Sequence, residues 1–292
     1  MGPFEYFEPE TVGEALSLLR KYADRAKVCA GGTDLVIQLR KRLLNPQFVI
    51  SIGGIRELDY HRFGHEKGLR IGCLTTIRTI ERSPELQKQY KMLSEVASQM
   101  SSVAVRNVAT IGGNLCNALP SADMAPMLIA LSAKAKLVSI DGERIVPLED
   151  FFTGPGKTVL RADELLVEVQ VPTPPPHTSG VYQRYTTRGG EELAVVGVAT
   201  LVTLGSKDER CTDVRIVLGT VVPAPMRAKE AEAILKGKML DDEIVEKASD
   251  IAAAESGPRD SIRGSADYRR EMVRILTRDA LRQAFERTQS AR

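Results

Sequence analysis

Apolar and polar positions along the chain switch repeatedly between short strand-like runs and amphipathic helical stretches. After a short strand around Phe4–Phe7, the apolar residues Val12, Ala15, Leu16 and Leu19 recur at the spacing of one buried helix face. Lys27–Ala30 reads as a compact strand leaving through Gly31-Gly32-Thr33-Asp34, where Thr33 or Asp34 would cap a helix from Leu35 to about Leu44. Gln47–Ile52 and Leu69–Gly72 read as strands. Pro84 to about Ser101 reads as one long helix, with Leu86, Tyr90, Leu93, Val96, Ala97 and Met100 on one side. Asp123–Ala135 reads as a buried helix, and Lys136–Ile140 and Glu143–Pro147 flank Asp141-Gly142, a two-residue hairpin signal.

The proline-rich stretch Pro172–Gly180 is extended and semi-rigid by composition, and marks a domain boundary. Beyond it, Val181–Thr187, Ala194–Leu204 and Thr212–Val222 read as one antiparallel sheet. Helices follow around Arg227–Lys236, Asp242–Ala254 and Ser265–Arg287. The expected division is residues 1–172, with subdomains of about 1–55 and 56–172, a linker at 173–180, and a C-terminal domain at 181–292.

Composition narrows the function classes. The 292 residues are 43% hydrophobic and 27% charged, enough for a packed core. Forty basic residues against 38 acidic ones leave a net charge of +2 without long single-sign runs, which disfavours nucleic-acid or membrane-surface binding. No apolar run approaches the ~20 residues of a membrane span. The N-terminal residues lack a basic region followed by an apolar core, so no secretory signal is expected. Cys29, Cys73, Cys116 and Cys211 form no Cys-x-x-Cys pair, which points to reduced thiols in a cytoplasmic protein and to no metal held by this chain.

Two stretches carry the candidate chemistry. Val28-Cys29-Ala30-Gly31-Gly32-Thr33-Asp34-Leu35 and Ala109-Thr110-Ile111-Gly112-Gly113-Asn114-Leu115 are both glycine-bearing polar turns between apolar residues. Paired glycines let a backbone approach a ligand closely, and a strand-to-helix exit presents free amide N–H groups that suit a phosphate. Two such loops suggest a clamp on one phosphate-bearing ligand, although Gly31–Asp34 taken alone also fits a plain tight turn. Ser121 and Asp123 add a hydroxyl and a carboxylate just downstream. Neither stretch fits the dinucleotide fingerprint, and Gly154–Thr158 lacks the first glycine of a P-loop, where Phe151 stands. His61 and His65 read as solvated loop residues rather than a metal pair.

These motifs resemble the FAD-binding medium subunit of the molybdenum hydroxylases, the xanthine dehydrogenase and carbon monoxide dehydrogenase group. The matching stretches are Ala30–Leu35, Arg106–Leu115, Pro120-Ser121-Ala122-Asp123, Phe151–Gly154, Glu164-Leu165-Leu166, Tyr182–Arg188, Pro223–Arg227 and Arg263–Arg269, in family order. The resemblance implies an α+β fold: two α/β FAD-binding subdomains of the vanillyl-alcohol oxidase-like (PCMH) type, then a C-terminal domain with a three-stranded antiparallel sheet and helices. It implies that Val28–Leu35 line the pyrophosphate and that Thr110, Ile111, Gly112, Gly113 and Asn114 hold its other side and the ribityl region. It further implies that Asp123 binds a sugar hydroxyl with Ser121 nearby, and that Met100, Leu166 and Arg184 contact the flavin. The Arg184 position often carries lysine in the family, and some relatives place an aromatic residue at the Met100 position.

The implied activity is that of an oxidoreductase subunit with no catalytic acid, base or nucleophile of its own. A large partner subunit would carry the molybdenum cofactor, and a small one two 2Fe-2S clusters, in a dimer of heterotrimers. FAD here would pass electrons to NAD, a quinone or another acceptor. A free-standing FAD-dependent oxidase and a flavin-free scaffold of the same fold are the alternative readings.

Overall fold

The computed structural model describes residues 2–64, 68–189, 192–206 and 209–290. The N-terminal part holds two sheets. Three parallel strands run in the order Glu5–Phe7, Phe48–Ser51, Ala26–Cys29. The helix Val12–Tyr22 buries Ala15, Leu16, Leu19 and Tyr22. Thr11 caps that helix, its side chain accepting from the Glu14 amide at 3.2 Å. The second sheet is antiparallel, in the order His61–Gly64, Gly68–Gly72, Leu165–Val171, Lys134–Ser139, Gly142–Pro147. Arg144 forks onto Glu164 with two bonds of 2.6 and 2.7 Å, fixing the entry to the central strand of that sheet.

The C-terminal sheet has three long antiparallel strands, Thr178–Tyr185, Val196–Leu204 and Cys211–Gly219, plus a two-residue edge strand at Met226–Arg227. The middle strand is buried throughout. Both its faces are covered, which explains the near-continuous apolar run in its sequence. Val196, Val198, Val202 and Leu204 join a core with the helices Lys229–Leu235, Asp242–Glu255 and Ala266–Ser290. Ala199 and Leu201 point the other way, into the core of the N-terminal part. There they meet the short helix Met124–Ala130, every residue of which is buried. A Cβ on Gly219 would stand 2.9 Å from Pro126 Cγ of that helix. The core of the N-terminal part therefore continues across the sequence boundary at the prolines onto one face of the C-terminal sheet, whose other face forms a second core with the C-terminal helices.

Several expected elements differ in extent. The long helix over 84–101 is two helices, Pro84–Gln89 and Lys91–Gln99, hinged at Tyr90 (φ −135°, ψ 48°). Tyr90 is drawn out of helical geometry by tertiary contacts: its ring lies 5.9 Å from Phe63, and its hydroxyl faces the carbonyls of Val171 and Pro172 at 3.4 and 3.3 Å. The helix expected over 123–135 stops at Ala130. Ser132 then takes a left-handed turn (φ 57°) and the chain enters the strand Lys134–Ser139. The hairpin pairs Ser139 with Gly142, so its loop is Ile140-Asp141, one residue earlier than the Asp-Gly signal implies. Thr178–Gly180, assigned to the linker, already belong to the first strand of the C-terminal sheet. His61 lies on a strand rather than a loop, within 3.1 Å of the Ser83 hydroxyl; His65 lies outside the described residues. Among the described residues, no helix is long and apolar enough to cross a membrane.

The two glycine loops touch each other. A Cβ added to Gly31 would fall 1.9 Å from the carbonyl oxygen of Val108, in the backbone that leads into the second loop. Gly112 is equally confined, its added Cβ lying 2.7 Å from Cys73 Cβ and 2.8 Å from Cys73 O. These two glycines thus serve close approach between protein backbones. Gly31→Ala is expected to destabilise the fold by about 1–3 kcal/mol or more through forced backbone displacement; a urea melt with an unshifted midpoint would refute the contact. Arg144 lowers the carboxyl pKa of Glu164, first through its hydrogen bonds, against the opposing effect of burial. A lowered folded value means that this pair stabilises the fold above the ordinary carboxylate value of 4.5, and that its contribution is lost as pH falls through the lowered one. Stability should therefore fall more gently below pH 4.5 in Glu164→Gln than in the wild type, as read from melts across that range.

Candidate functional site

The strand Ala26–Cys29 ends at the first loop, and the helix Leu35–Arg40 starts from it. The second loop is the start of the helix Ile111–Asn117, capped by Thr110, whose hydroxyl accepts from the Gly113 amide at 3.0 Å. Between the two loops lies a cleft of about 450 Å³. Its walls include all of Val28, Cys29, Ala30, Gly31, Gly32, Thr33, Asp34 and Leu35 from the first loop. Thr110, Gly112, Gly113 and Asn114 come from the second, with Met100 and Leu166 at the side.

The amides of the two loops differ in what they have left to offer. Those of Ile111, Gly112, Gly113 and Asn114 already bond to Thr75 O, Cys73 O, Thr110 Oγ1 and Thr110 O at 2.9–3.0 Å. Those of Gly32, Thr33 and Asp34 have no acceptor among the described residues. Gly32 holds φ at +71°, in the left-handed region that a side chain disfavours. Free amide donors in a loop of this kind suit an anionic group. The expected cap on the following helix is absent: Asp34 occupies the cap position without a side-chain bond. Partial burial pushes its carboxyl pKa up.

The second loop contributes a side chain instead. Asn114 Oδ1 is buried and has no hydrogen-bond partner among the described residues, while its amide nitrogen lies 3.7 Å from Met100 Sδ. A buried carbonyl oxygen left unpaired costs about 1–3 kcal/mol, and a ligand donor would recover that cost. The free amides on one side and the unpaired oxygen on the other fit a molecule with both an anionic and a hydrogen-bond-donating part, as FAD has. The adjacent wall of Met100, Leu165 and Leu166 suits a ring system.

Ile111, Ser121, Asp123 and Arg184 are not part of the cleft wall. Ile111 is a core residue. Asp123 sits behind the wall, 6% exposed, where one oxygen accepts from the Tyr182 hydroxyl at 2.8 Å and the other faces Arg184 NH1 at 3.3 Å. Burial raises its carboxyl pKa, against the opposing pull of Arg184 and Tyr182. Arg184 also donates to Gln99 O at 2.6 Å and to the carbonyl of Glu192. Arg106, likewise buried, donates to Met100 O and Ser101 O at 2.9 and 2.7 Å while pairing with Glu81 at 2.8 Å. Two buried arginines thus grip three successive carbonyls, and so hold Met100 against the cleft.

Sequence reasoning passed over other lining residues. Gln38 and Asn117 bond to each other at 3.1 Å, joining the helices that follow the two loops. Cys29, Cys73 and Cys116 all reach the wall. Burial raises all three thiols, that of Cys116 to about 12. Asn117 falls three positions after Asn114 on one helix, a spacing that offers the same face; nothing local marks Gln38 or Cys73.

Comparison with known proteins agrees with this geometry. Residues 2–174 match the family model of the FAD binding domain in molybdopterin dehydrogenase, and residues 182–284 that of the CO dehydrogenase flavoprotein C-terminal domain. The chain is 31% identical over 280 residues to a xanthine dehydrogenase FAD-binding subunit of Escherichia coli, covering 96% of this chain and 95% of that one. It is 34% identical over 277 residues to a nicotinate dehydrogenase FAD-subunit of Eubacterium barkeri, covering 94% and 93%. A crystallised chain of carbon monoxide dehydrogenase from Hydrogenophaga pseudoflava superposes with a TM-score of 0.94 at 34% identity, over 98% of each chain. Cleft, fold and sequence agree: this chain belongs to the family of FAD-binding oxidoreductase subunits of the molybdopterin dehydrogenases.

Proposed function

We propose that this chain is the electron-transfer subunit of a molybdenum hydroxylase. FAD held in the cleft would supply the redox chemistry, by which electrons from the 2Fe-2S clusters of a small partner would pass to NAD, a quinone or another acceptor. A large partner carries the molybdenum cofactor and selects the substrate, and the assembly is a dimer of heterotrimers. The observation that carries this reading is the cleft, with its unused amides at Gly32–Asp34 and the unpaired Asn114 oxygen opposite them.

The chain's own residues bind and orient. The amides of Gly32, Thr33 and Asp34 receive the diphosphate, while Asn114 accepts from a hydroxyl or ring N–H of the ligand. Met100, Leu165 and Leu166 keep water from the ring. Arg106 and Arg184 hold the Met100 carbonyl and its neighbours in place, so their effect on the flavin is indirect. Asp123 acts through Arg184 and Tyr182 in this arrangement.

Purification of the chain from its native host with whatever accompanies it tests the assignment. FAD together with molybdenum, iron and two further subunits is expected. FAD without metals or partners would indicate a free-standing flavoprotein, and partners without flavin a scaffold. A sharper test addresses the cleft. Asn114→Leu should weaken FAD binding by about 1–3 kcal/mol, the usual range for a lost buried hydrogen bond. It should also leave the flavin-free chain as stable as the wild type, since the oxygen it removes is unpaired there. Unchanged FAD affinity by fluorescence titration would count against the site. At Gly113 an added Cβ meets only Thr110 Oγ1 within 4 Å, at 3.0 Å. Gly113→Leu should therefore fill the cleft and abolish flavin retention in a chain that still folds; a full complement of flavin would contradict this placement.

A further inference from the structure

Outside the cleft, the tight turn before the last helix carries an unsatisfied cluster of positive charge. Ser261 and Gly264 exchange two backbone bonds of 3.1 Å, with Gly264 at φ +145°, and the helix Ala266–Ser290 starts directly afterwards. Arg269, in the first turns of that helix, folds back beneath the turn and is only 6% exposed. Its guanidinium donates to Ser261 Oγ, and its Nε is buried without a partner among the described residues. Among the described residues Arg269, Arg259 and Arg263 have no carboxylate within ion-pair distance, and the charge of Arg263 is felt only at longer range by Glu192. Asp260, whose charge acts on Arg269, uses an oxygen to accept from the Ala266 amide at 2.7 Å. Burial, and after it the charges of Arg263 and Arg259, push the Arg269 guanidinium below its ordinary pKa, with Asp260 acting against them.

A buried guanidinium with an unpaired N–H, crowded by two further arginines, is a costly arrangement for a fold to keep empty. Asp267 does not neutralise it, being paired with Arg270 at 2.9 Å. Three arginines, with Asp260 engaged by the Ala266 amide and Glu192 by Thr187 and the Arg188 amide, sit at the positive end of a long helix and suit a multiply charged group with several acceptor oxygens. We propose that this turn is a phosphoryl-binding site in which Arg269 supplies a buried donor fork and Arg259 and Arg263 close over the ligand. The ligand is a phosphate or diphosphate group, either free or carried by a nucleotide. The site abuts the strand Thr178–Tyr185, which carries Arg184. Tyr268 meets Tyr185 edge-on at 5.9 Å, next to Arg184, and the charge of Arg263 reaches Glu192, whose carbonyl Arg184 holds.

The test is calorimetric titration of the FAD-loaded protein with inorganic pyrophosphate at low ionic strength, for wild type, Arg263→Gln and Arg269→Lys. Arg263 is exposed, so its replacement leaves the fold intact even where Arg269→Lys does not. Pyrophosphate should bind the wild type, and at least tenfold more weakly to Arg263→Gln, with equal flavin absorbance in both samples. Titration with ADP separates the two sources: ADP binding more tightly than pyrophosphate identifies a nucleotide, and ADP binding no more tightly identifies the free anion. No binding of pyrophosphate to the wild type, or equal binding by wild type and Arg263→Gln, overturns the proposal. Because flavin content is read in the same samples, failure here is distinct from failure of the flavin cleft.

Discussion

The cleft depends on a contact with no room for a single methyl group. Gly31 lies so close to the Val108 carbonyl that a Cβ would overlap it. This contact fixes the distance between the two loops. It leaves the amides of the next three residues unspent beside the cleft. Gly112 sets the second loop against Cys73 in the same way, so the helix it starts is anchored to the five-stranded sheet. Close backbone packing on the outer sides of both loops is what makes the inner space reproducible.

The wall beside the cleft is held by charge rather than by packing alone. Arg106 and Arg184 converge on the carbonyls of Gln99, Met100 and Ser101, a turn in which Ser101 takes φ 47°. Each arginine is buried and each has a carboxylate partner, Glu81 or Asp123. Such pairs stabilise little in net terms, but breaking one leaves a buried charge uncompensated. Their contribution is the position of Met100. Arg184 comes from the C-terminal sheet and Arg106 from the N-terminal part, so the wall is assembled across the sequence boundary at the prolines. The buried helix Met124–Ala130, seated on the same sheet, supplies the packing that makes this reliable.

Much of this was legible in the sequence where local rules and tertiary demands coincide. The near-continuous apolar run of Val196–Leu204 and the helical spacing over Val12–Leu19 each gave one reading, which the fold follows. Both glycine loops stood out because paired glycines between apolar residues are locally distinctive. Their division of labour was not legible. Whether an amide is spent depends on Thr75, Cys73 and Thr110 standing near the second loop, and no pattern within the loops records that. Tyr90 carried a helical pattern, yet its hinge is made by Phe63 and Val171, far away in sequence. Asp123 stood out in the sequence by its place beside the second loop, while its protein partners, Tyr182 and Arg184, lie about sixty residues on, where no local pattern records them.

The most direct test of this account is a crystal structure of the chain with FAD bound. The diphosphate oxygens should lie within hydrogen-bond distance of the amide nitrogens of Gly32, Thr33 and Asp34, with Asn114 Oδ1 accepting from the ligand. A diphosphate resting instead on the amides of Ile111–Asn114, or an Asn114 oxygen still without a partner, would contradict the division of roles between the two loops.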